Sequence, residues 1–549
     1  MKPRLISLFA AAAVLTAQDG ATRENWPHYG GQTSAWRYSA LDQVNAANVK
    51  SLTPVWSFQT GDNEGGLQAT PIVIDGVMYI STSHNRVFAI DAATGRELWS
   101  YHYELPKGFT IFYGPWNRGV AVADGRVFMG TLDNHVVAID AKNGRQLWKV
   151  NVEDANQCGC NITAAPLVVK GKVIVGVTGG DSAHRGYINA FDARTGRQLW
   201  RFWTIPGPGE KGHETWTGDS WKSGGGAAWM TGSYDAELNL TYWSVGNPAA
   251  DFWGGNRKGD NLYTDSVVAL DLDTGKLKWH YQQVPHDVWD WDTAYENVLL
   301  DLPVNGRQRK LLLNVNKGGY TFVVDRVNGE FVAAWPLVNN LNWITGVGPK
   351  GELLGRNEPV VGKSKIICPS IGGGRSWNQG AWSPRTGMFY STGIEWCEDV
   401  VAVPETPKEG QVYFGGTFKL THKPLKGEAG GHLGAYDPVT GKRAWLYEYK
   451  YPLLASVLAT AGDVIFTGDA DGFFFALDAK SGKKLWSFQT GSGHRGSAVT
   501  YSVNGRQFVA TPTGWGSALA GLLPQIWPET ERLRSGSAVF VFALPEPAK

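Results

Sequence analysis

The sequence predicts an all-β fold, an eight-bladed β-propeller, on three observations. One phrase recurs along the chain: an apolar strand, Asp, two residues, Thr, Asn or Ser followed by Gly, then a charged stretch ending in Trp. Its copies are spaced for units of about 40–50 residues, the length of a four-stranded blade. The composition, 69 Gly, 27 Pro and 25 Trp against 5 Met, describes turns and aromatic-packed strands rather than helices.

Taken in order, Lys2 and Arg4 precede an apolar run from Leu5 to Ala17 and the polar Gln18-Asp19-Gly20. This is the layout of a secretory signal peptide over residues 1–17, with Leu15 where a small residue is preferred, and it predicts export to the periplasm. The repeat then appears as AIDAATGRELW (Ala89 to Trp99), AIDAKNGRQLW (Ala138 to Trp148) and AFDARTGRQLW (Ala190 to Trp200). It returns as ALDLDTGKLKW (from Ala269), AYDPVTGKRAW (from Ala435) and ALDAKSGKKLW (from Ala476), with degenerate copies at Val323 and Ser383. That makes eight units. In each, Asp caps backbone N–H groups and Gly supplies the positive φ of a tight turn. The Trp is expected to wedge between blades. Helical repeats are excluded because Gly and Pro interrupt every window.

Residues 201–265 and 336–375 read as inserts projecting from one face. The early strand Val55 to Thr60 and the late strand Ser537 to Pro545 are expected to share a blade, closing the ring without an exposed edge. One domain therefore spans residues 25–545.

With 51 basic against 50 acidic residues, the chain lacks the positive excess that binds nucleic acid. After residue 17 no stretch offers the roughly 20 apolar residues of a membrane span. Four cysteines occur. Cys368 and Cys397 could pair across a hairpin, and Cys158-Gly159-Cys160 is open between a small ring and free thiols. No CxxCH motif is present, so no covalent haem is expected, and the cysteine spacing makes no zinc site.

The repeat phrase, the segment GLQATPIVIDGVMYISTSHNRVFAIDAATGRELW, NRGVAV and PHDVWDWD together resemble the quinoprotein alcohol dehydrogenases. The resemblance runs from about Asn25 to Pro545. It implies an eight-bladed propeller with tryptophan-docking motifs that oxidises a small-molecule alcohol with pyrroloquinoline quinone (PQQ) and a bound metal ion. Electrons would pass to a separate acceptor such as a cytochrome c.

PQQ is a flat tricycle with three carboxylates. It needs an aromatic floor, cationic and hydroxyl donors at its rim, a metal ion to polarise the reactive carbonyl, and a base for the alcohol proton. By the resemblance the floor is Trp229, the rim cations are Arg118 and Lys317, and the hydroxyl donors are Thr163 and Thr178. Gly179 and Gly180 permit close backbone approach. The metal ligands are Asp181, Asn247 and Asp290, oxygen donors suited to Ca²⁺ or a lanthanide, and Asp290 is also the base.

Departures are visible too. Phe112-Tyr113 stands where the family has paired cysteines over the second face of the ring, and Gln68 replaces a Glu that contacts the cofactor. Asp181 is one methylene shorter than the usual Glu. Ala227, Ser376 and Leu453 replace Thr, Asn and Trp. In an extended chain Asp290 and Asp292 would project to the same side while Trp291 points away. Asp292 also matches the aspartate of the lanthanide-dependent branch, so a lanthanide is favoured over Ca²⁺. The competing reading, a non-catalytic scaffold of PQQ-like repeats that binds other proteins, gives no reason for these residues to coincide.

Overall fold

A computed structural model describes residues 24–421 and 428–546. The proposed signal peptide lies outside the described residues. The remainder is almost wholly β, with two short α-helices, Ala155–Cys158 and Ala518–Leu522, among the described residues.

Eight sheets of four or five strands follow one another along the chain, the sheet order of a β-propeller. The hairpin logic of the repeat is visible in the first complete copy. Strand Val77–Thr82 pairs antiparallel with Arg86–Asp91, and the Asp91 turn leads into Glu97–His102. The stretch ending at Ile90 is thus two strands, reversed at His84 and Asn85, which take φ of 57° and 60°. Asp91 Oδ1 accepts from the N–H groups of Ala93 and Thr94, and Gly95 turns the chain at φ 77°.

The tryptophans join the sheets. Trp56 Nε1 donates to the Ala92 carbonyl, Trp99 to Ala141, Trp148 to Ala193 and Trp200 to Leu272. Trp279 donates to Arg326, Trp335 to Pro438, Trp445 to Ala479, and Trp486 to Leu52. Each acceptor lies in the following sheet or at its edge, and the last donation returns to the first sheet. The turn glycine makes room for the ring: a Cβ on Gly144 would stand 2.7 Å from Trp99. Apolar cores fill the space between neighbouring sheets, as where Val87, Ala89 and Trp99 meet Val127, Met129 and Val137.

Strand Thr53–Gln59 pairs antiparallel with Ala538–Ala543, from Thr53 opposite Ala543 to Gln59 opposite Ala538. The two ends of the chain therefore share one sheet. That sheet carries no copy of the repeat phrase. The degenerate copy at Ser383 is not a unit of its own: its hairpin, Ala381–Ser383 with Met388–Ile394, belongs to the sheet that also holds the Asp437 turn. A turn phrase marks a hairpin, and one sheet has several hairpins.

The insert over residues 201–265 also needs correction. It contains Ser233–Asp235 and Leu240–Ser244, two fully buried strands of a regular sheet, so its loops are residues 204–232 and 245–265. Strand Lys365–Ile367, from the second insert, joins Cys397–Ala402 and Gly416–Thr421 in a separate three-stranded sheet. Cys368 and Cys397 form a disulfide beside this pairing, between strands that are neighbours in space and not a hairpin. Cys158 and Cys160 are also disulfide-bonded, and neither is a free thiol.

Candidate active site

Loops at the ends of successive sheets converge on a buried cavity with two adjoining chambers of about 190 and 160 Å³. Trp116, Arg118, Trp229, Asp292 and Lys317 line both. Tyr113, Thr163, Thr178, Gly179, Gly180, Asp181 and Asn247 line the first, and Gln68 the second. Nearly the whole expected set therefore meets in one place, from positions almost 250 residues apart.

Two of the set do not line it: Asp290, which is paired with the lining residue Lys317, and Phe112. The Phe112 ring packs edge-on against Phe109 at 6.3 Å. Consecutive side chains diverge here because Tyr113 takes a left-handed φ of 59°. Tyr113 lines the first chamber together with Trp116, its hydroxyl 2.5 Å from Ser182 Oγ.

The Trp229 ring is held at its edge and covered on a face. Its Nε1 donates to Asp292 Oδ1 at 3.3 Å, and Tyr295 meets it edge-on. The Arg118 guanidinium lies 5.0 Å from its centroid and 4.8 Å from that of Trp377, and Arg118 Nη1 donates to Thr163 Oγ1. Burial lowers Arg118 to about 10, which leaves it cationic at neutral pH. Thr178 Oγ1 donates to Asn161 Oδ1 at 2.8 Å, so its hydroxyl fixes a loop.

Asp290 and Asp292 lie in a tight loop, not an extended strand. Asp290 sits at φ 67°, and the Asp287 carboxylate accepts from the N–H groups of Trp289 and Trp291. The alternation argument for this pair therefore fails, although Trp291 does turn away, into an aromatic cluster with Trp343. Lys317 closes the loop. Its N–H donates to the Asp292 carbonyl at 3.0 Å, and its ammonium pairs with Asp290 Oδ2 and, at 3.4 Å, with Asp292 Oδ2.

The carboxylates that converge are Asp181, Asp251 and Asp290, one oxygen of each within 4.8 Å of the others. Asp292 is outside this group. Its Oδ1 accepts from Trp229 and from the Asn247 N–H at 3.2 Å, while Oδ2 faces Lys317. The Asn247 amide bridges the group: Nδ2 donates to Asp181 at 3.2 Å and to Asp251 at 2.9 Å. Turning the amide over would present its oxygen to the same point.

Burial raises Asp181 to about 6, with Lys317 opposing and Asp292 adding to the shift. Burial likewise raises Asp290 well above the ordinary carboxylate range, opposed by Lys317 and reinforced by Asp292 and Asp181. For Lys317 burial acts downward, but Asp290 and Asp292 outweigh it and hold the ammonium well above its usual value. A corner that crowds carboxylates around one ammonium is short of positive charge.

Among the described residues, six buried polar atoms at the cavity and its carboxylate corner have no hydrogen-bond partner: Gln68 Oε1, Trp116 Nε1, Arg118 Nε, Arg495 Nε, Asp251 Oδ2 and Asp290 Oδ1. Buried polar groups are normally satisfied, so this set, donor and acceptor together, fits a bound polar molecule and a cation. Trp116, Trp377 and Asp251 belong to the site and were not read from the sequence. Among 25 Trp nothing distinguishes two of them, and Asp251 follows Asn247 by four residues without a motif of its own.

The chain is similar to known proteins over most of its length. The family model described as the PQQ glucose/ethanol/alcohol dehydrogenase beta-propeller domain matches residues 26–339 and 447–509. The quinoprotein alcohol dehydrogenase PedH of Pseudomonas putida is 38% identical over 536 residues, covering 93% of this chain and 89% of its own. The quinohemoprotein alcohol dehydrogenase of Comamonas testosteroni is 38% identical over 572 residues, covering 98% and 80%. Among solved structures, a europium-containing methanol dehydrogenase superposes with a TM-score of 0.90 at 32% identity, covering 95% of this chain and 98% of its own.

The fold is that of a β-propeller oxidoreductase. The chain belongs to the PQQ-dependent quinoprotein alcohol dehydrogenase family, and it is an alcohol-oxidising enzyme.

Proposed function

We propose that this protein is an exported quinoprotein that oxidises an alcohol to its aldehyde with PQQ and a metal ion, handing electrons to a separate acceptor such as a cytochrome c. The observation that carries this reading is the convergence of Trp229, Arg118 and Lys317 on one cavity, with Asp290 paired to Lys317 behind the lining. We read the eight sheets as eight blades of one closed ring with tryptophan docking. The indole donations that run from sheet to sheet and return at Trp486 support it.

Trp229 would supply the floor of the cofactor site and Tyr113 the opposite wall, while Arg118, Thr163 and Gln68 meet its polar rim. The metal ion would be held by Asp181, Asn247 and Asp290, with Asp292 adding negative charge beside them while engaged by Trp229, Asn247 and Lys317. Bound PQQ supplies the hydride acceptor, and the ion polarises the carbonyl that accepts.

The work of the chain is to place a base. Lys317 occupies Asp290 Oδ2 and leaves Oδ1, which has no partner, to take the hydroxyl proton of the alcohol. Burial disfavours the charged carboxylate, and a second cation beside Asp290 would act with Lys317 to keep it ionised. Buried carboxylates outnumber the single ammonium they contact, which favours a trivalent ion over Ca²⁺. The europium-containing relative supports the same preference.

A dye-linked assay of the purified protein with PQQ and either La³⁺ or Ca²⁺, across primary and secondary alcohols, tests the reading. Turnover with an artificial acceptor and no haem absorbance is expected. No turnover with either ion, or no PQQ binding, would refute it.

A further inference from the structure

Ligand oxygens bound to one ion at 2.3–2.6 Å cannot stand more than about 5 Å apart. Asp181, Asp251 and Asp290 meet that condition pairwise. Asp251 is fully buried, and only one of its oxygens is used: Oδ1 accepts from Asn247, and Oδ2 is without a partner. A buried carboxylate with an idle oxygen is costly unless something positive satisfies it.

Its position is built rather than incidental. Arg257 Nη2 donates to the Ala250 carbonyl at 2.7 Å, and the Phe252 N–H donates to the Phe414 carbonyl at 2.8 Å, fixing the backbone on both sides of Asp251. Arg257 Nη1 donates to Asn261 Oδ1 and Nη2 also to the Asp287 carbonyl, while its Nε has no partner and none of its donors is hydrogen-bonded to the Asp251 carboxylate. Lys317 is hydrogen-bonded to Asp290 and Asp292. Among the described residues no cation is hydrogen-bonded to Asp251, whereas the point between Asp181 and Asp290 is within reach of its carboxylate.

We propose that Asp251 is a direct ligand of the metal ion, forming a three-carboxylate shell with Asp181 and Asp290. This rests on the metal-dependent reading above. The Asp251 carboxylate supplies the oxygen that Asp292, engaged by Trp229, Asn247 and Lys317, does not present to this point. It adds a full negative charge to the shell and so selects for a hard ion of high charge.

The test is binding of Tb³⁺ to PQQ-loaded protein, with affinity from calorimetry and bound water from luminescence lifetimes in H₂O and D₂O. Asp251→Asn, of equal size, should weaken Tb³⁺ at least about tenfold, and Asp251→Ala should add about one bound water. Without metal, Asp251→Asn should melt at or above the parent temperature, because an unsatisfied charge is gone, while its gain in melting temperature on adding Tb³⁺ shrinks. Unchanged affinity and hydration in both variants, with Asp181→Asn still impaired, would overturn the role of Asp251 alone. Failure of the parent protein to bind Tb³⁺ would instead overturn the metal site as a whole.

Discussion

The indole N–H of Trp229 donates to Oδ1 of Asp292 at 3.3 Å, so the aromatic floor and the carboxylate corner are tied by one hydrogen bond. Trp229→Ala should lower PQQ affinity by at least about a hundredfold, since a stacked ring and a hydrogen bond are lost together. The variant should stay folded, because Trp229 is only part-buried and takes no part in the joints between sheets. Fluorescence titration with PQQ, beside a thermal melt, checks both. Unaltered affinity in a folded variant would move the floor elsewhere.

Metal preference follows from charge. After stripping and replacement, La³⁺ or Ce³⁺ should restore turnover better than Ca²⁺ in the parent, and Asp292→Ala should erase that difference. Rescue by Ca²⁺ that equals or exceeds La³⁺ in the unmodified protein would rule the preference out.

Gly180 has no room for a side chain. A Cβ there would lie 2.4 Å from Asn247 Oδ1. Gly180→Ala should therefore displace Asn247 from the carboxylates, weakening metal binding about tenfold or more with little change in melting temperature. Metal titration of the variant decides it, and parent-like affinity would show that Asn247 is dispensable.

Glu398 gives a separate pH signature, in stability. It is fully buried, its Oε2 accepts from the Ile371 N–H at 2.8 Å, and burial raises it to about 8. The folded value exceeds the unfolded one, so the unfolded chain releases the proton first as pH rises. The contribution of Glu398 is thus fully present below about pH 4.5 and lost progressively up to about pH 8. Glu398→Gln should stabilise the protein by roughly 3–5 kcal/mol above pH 8, and the gain should vanish near pH 4. Denaturant melts at the two pH values measure it, and a pH-independent difference would contradict it.

How much of this was legible without coordinates follows from the range of the interactions. The Asp–Gly turns are local, and their chemistry reads directly from a few adjacent residues. The sharing of one sheet by Thr53–Gln59 and Ala538–Ala543 was also legible, because each end of the repeat array leaves a strand outside any copy of the phrase, and pairing the two covers an otherwise open edge. The Ser383 phrase misled, since a hairpin turn looks the same whether or not it belongs to a new sheet.

At the proposed site, residue type singled out Trp229, Arg118, Lys317 and Asp290 through their resemblance to a family, and the structure places them close together. Direction was another matter. The left-handed backbone at Tyr113 and Asp290 sends Phe112 away from the cavity and bends the Asp290–Asp292 loop out of strand geometry. The sequence by itself determined the repeat, its turns and the chemical character of the pocket, because these depend on neighbours a few residues apart. Only the tertiary structure decided that Asp251 joins Asp181 and Asp290 while Asp292 faces Trp229 and Lys317. That choice depends on where loops from separate sheets bring their carboxylates in a buried space with one ammonium between them.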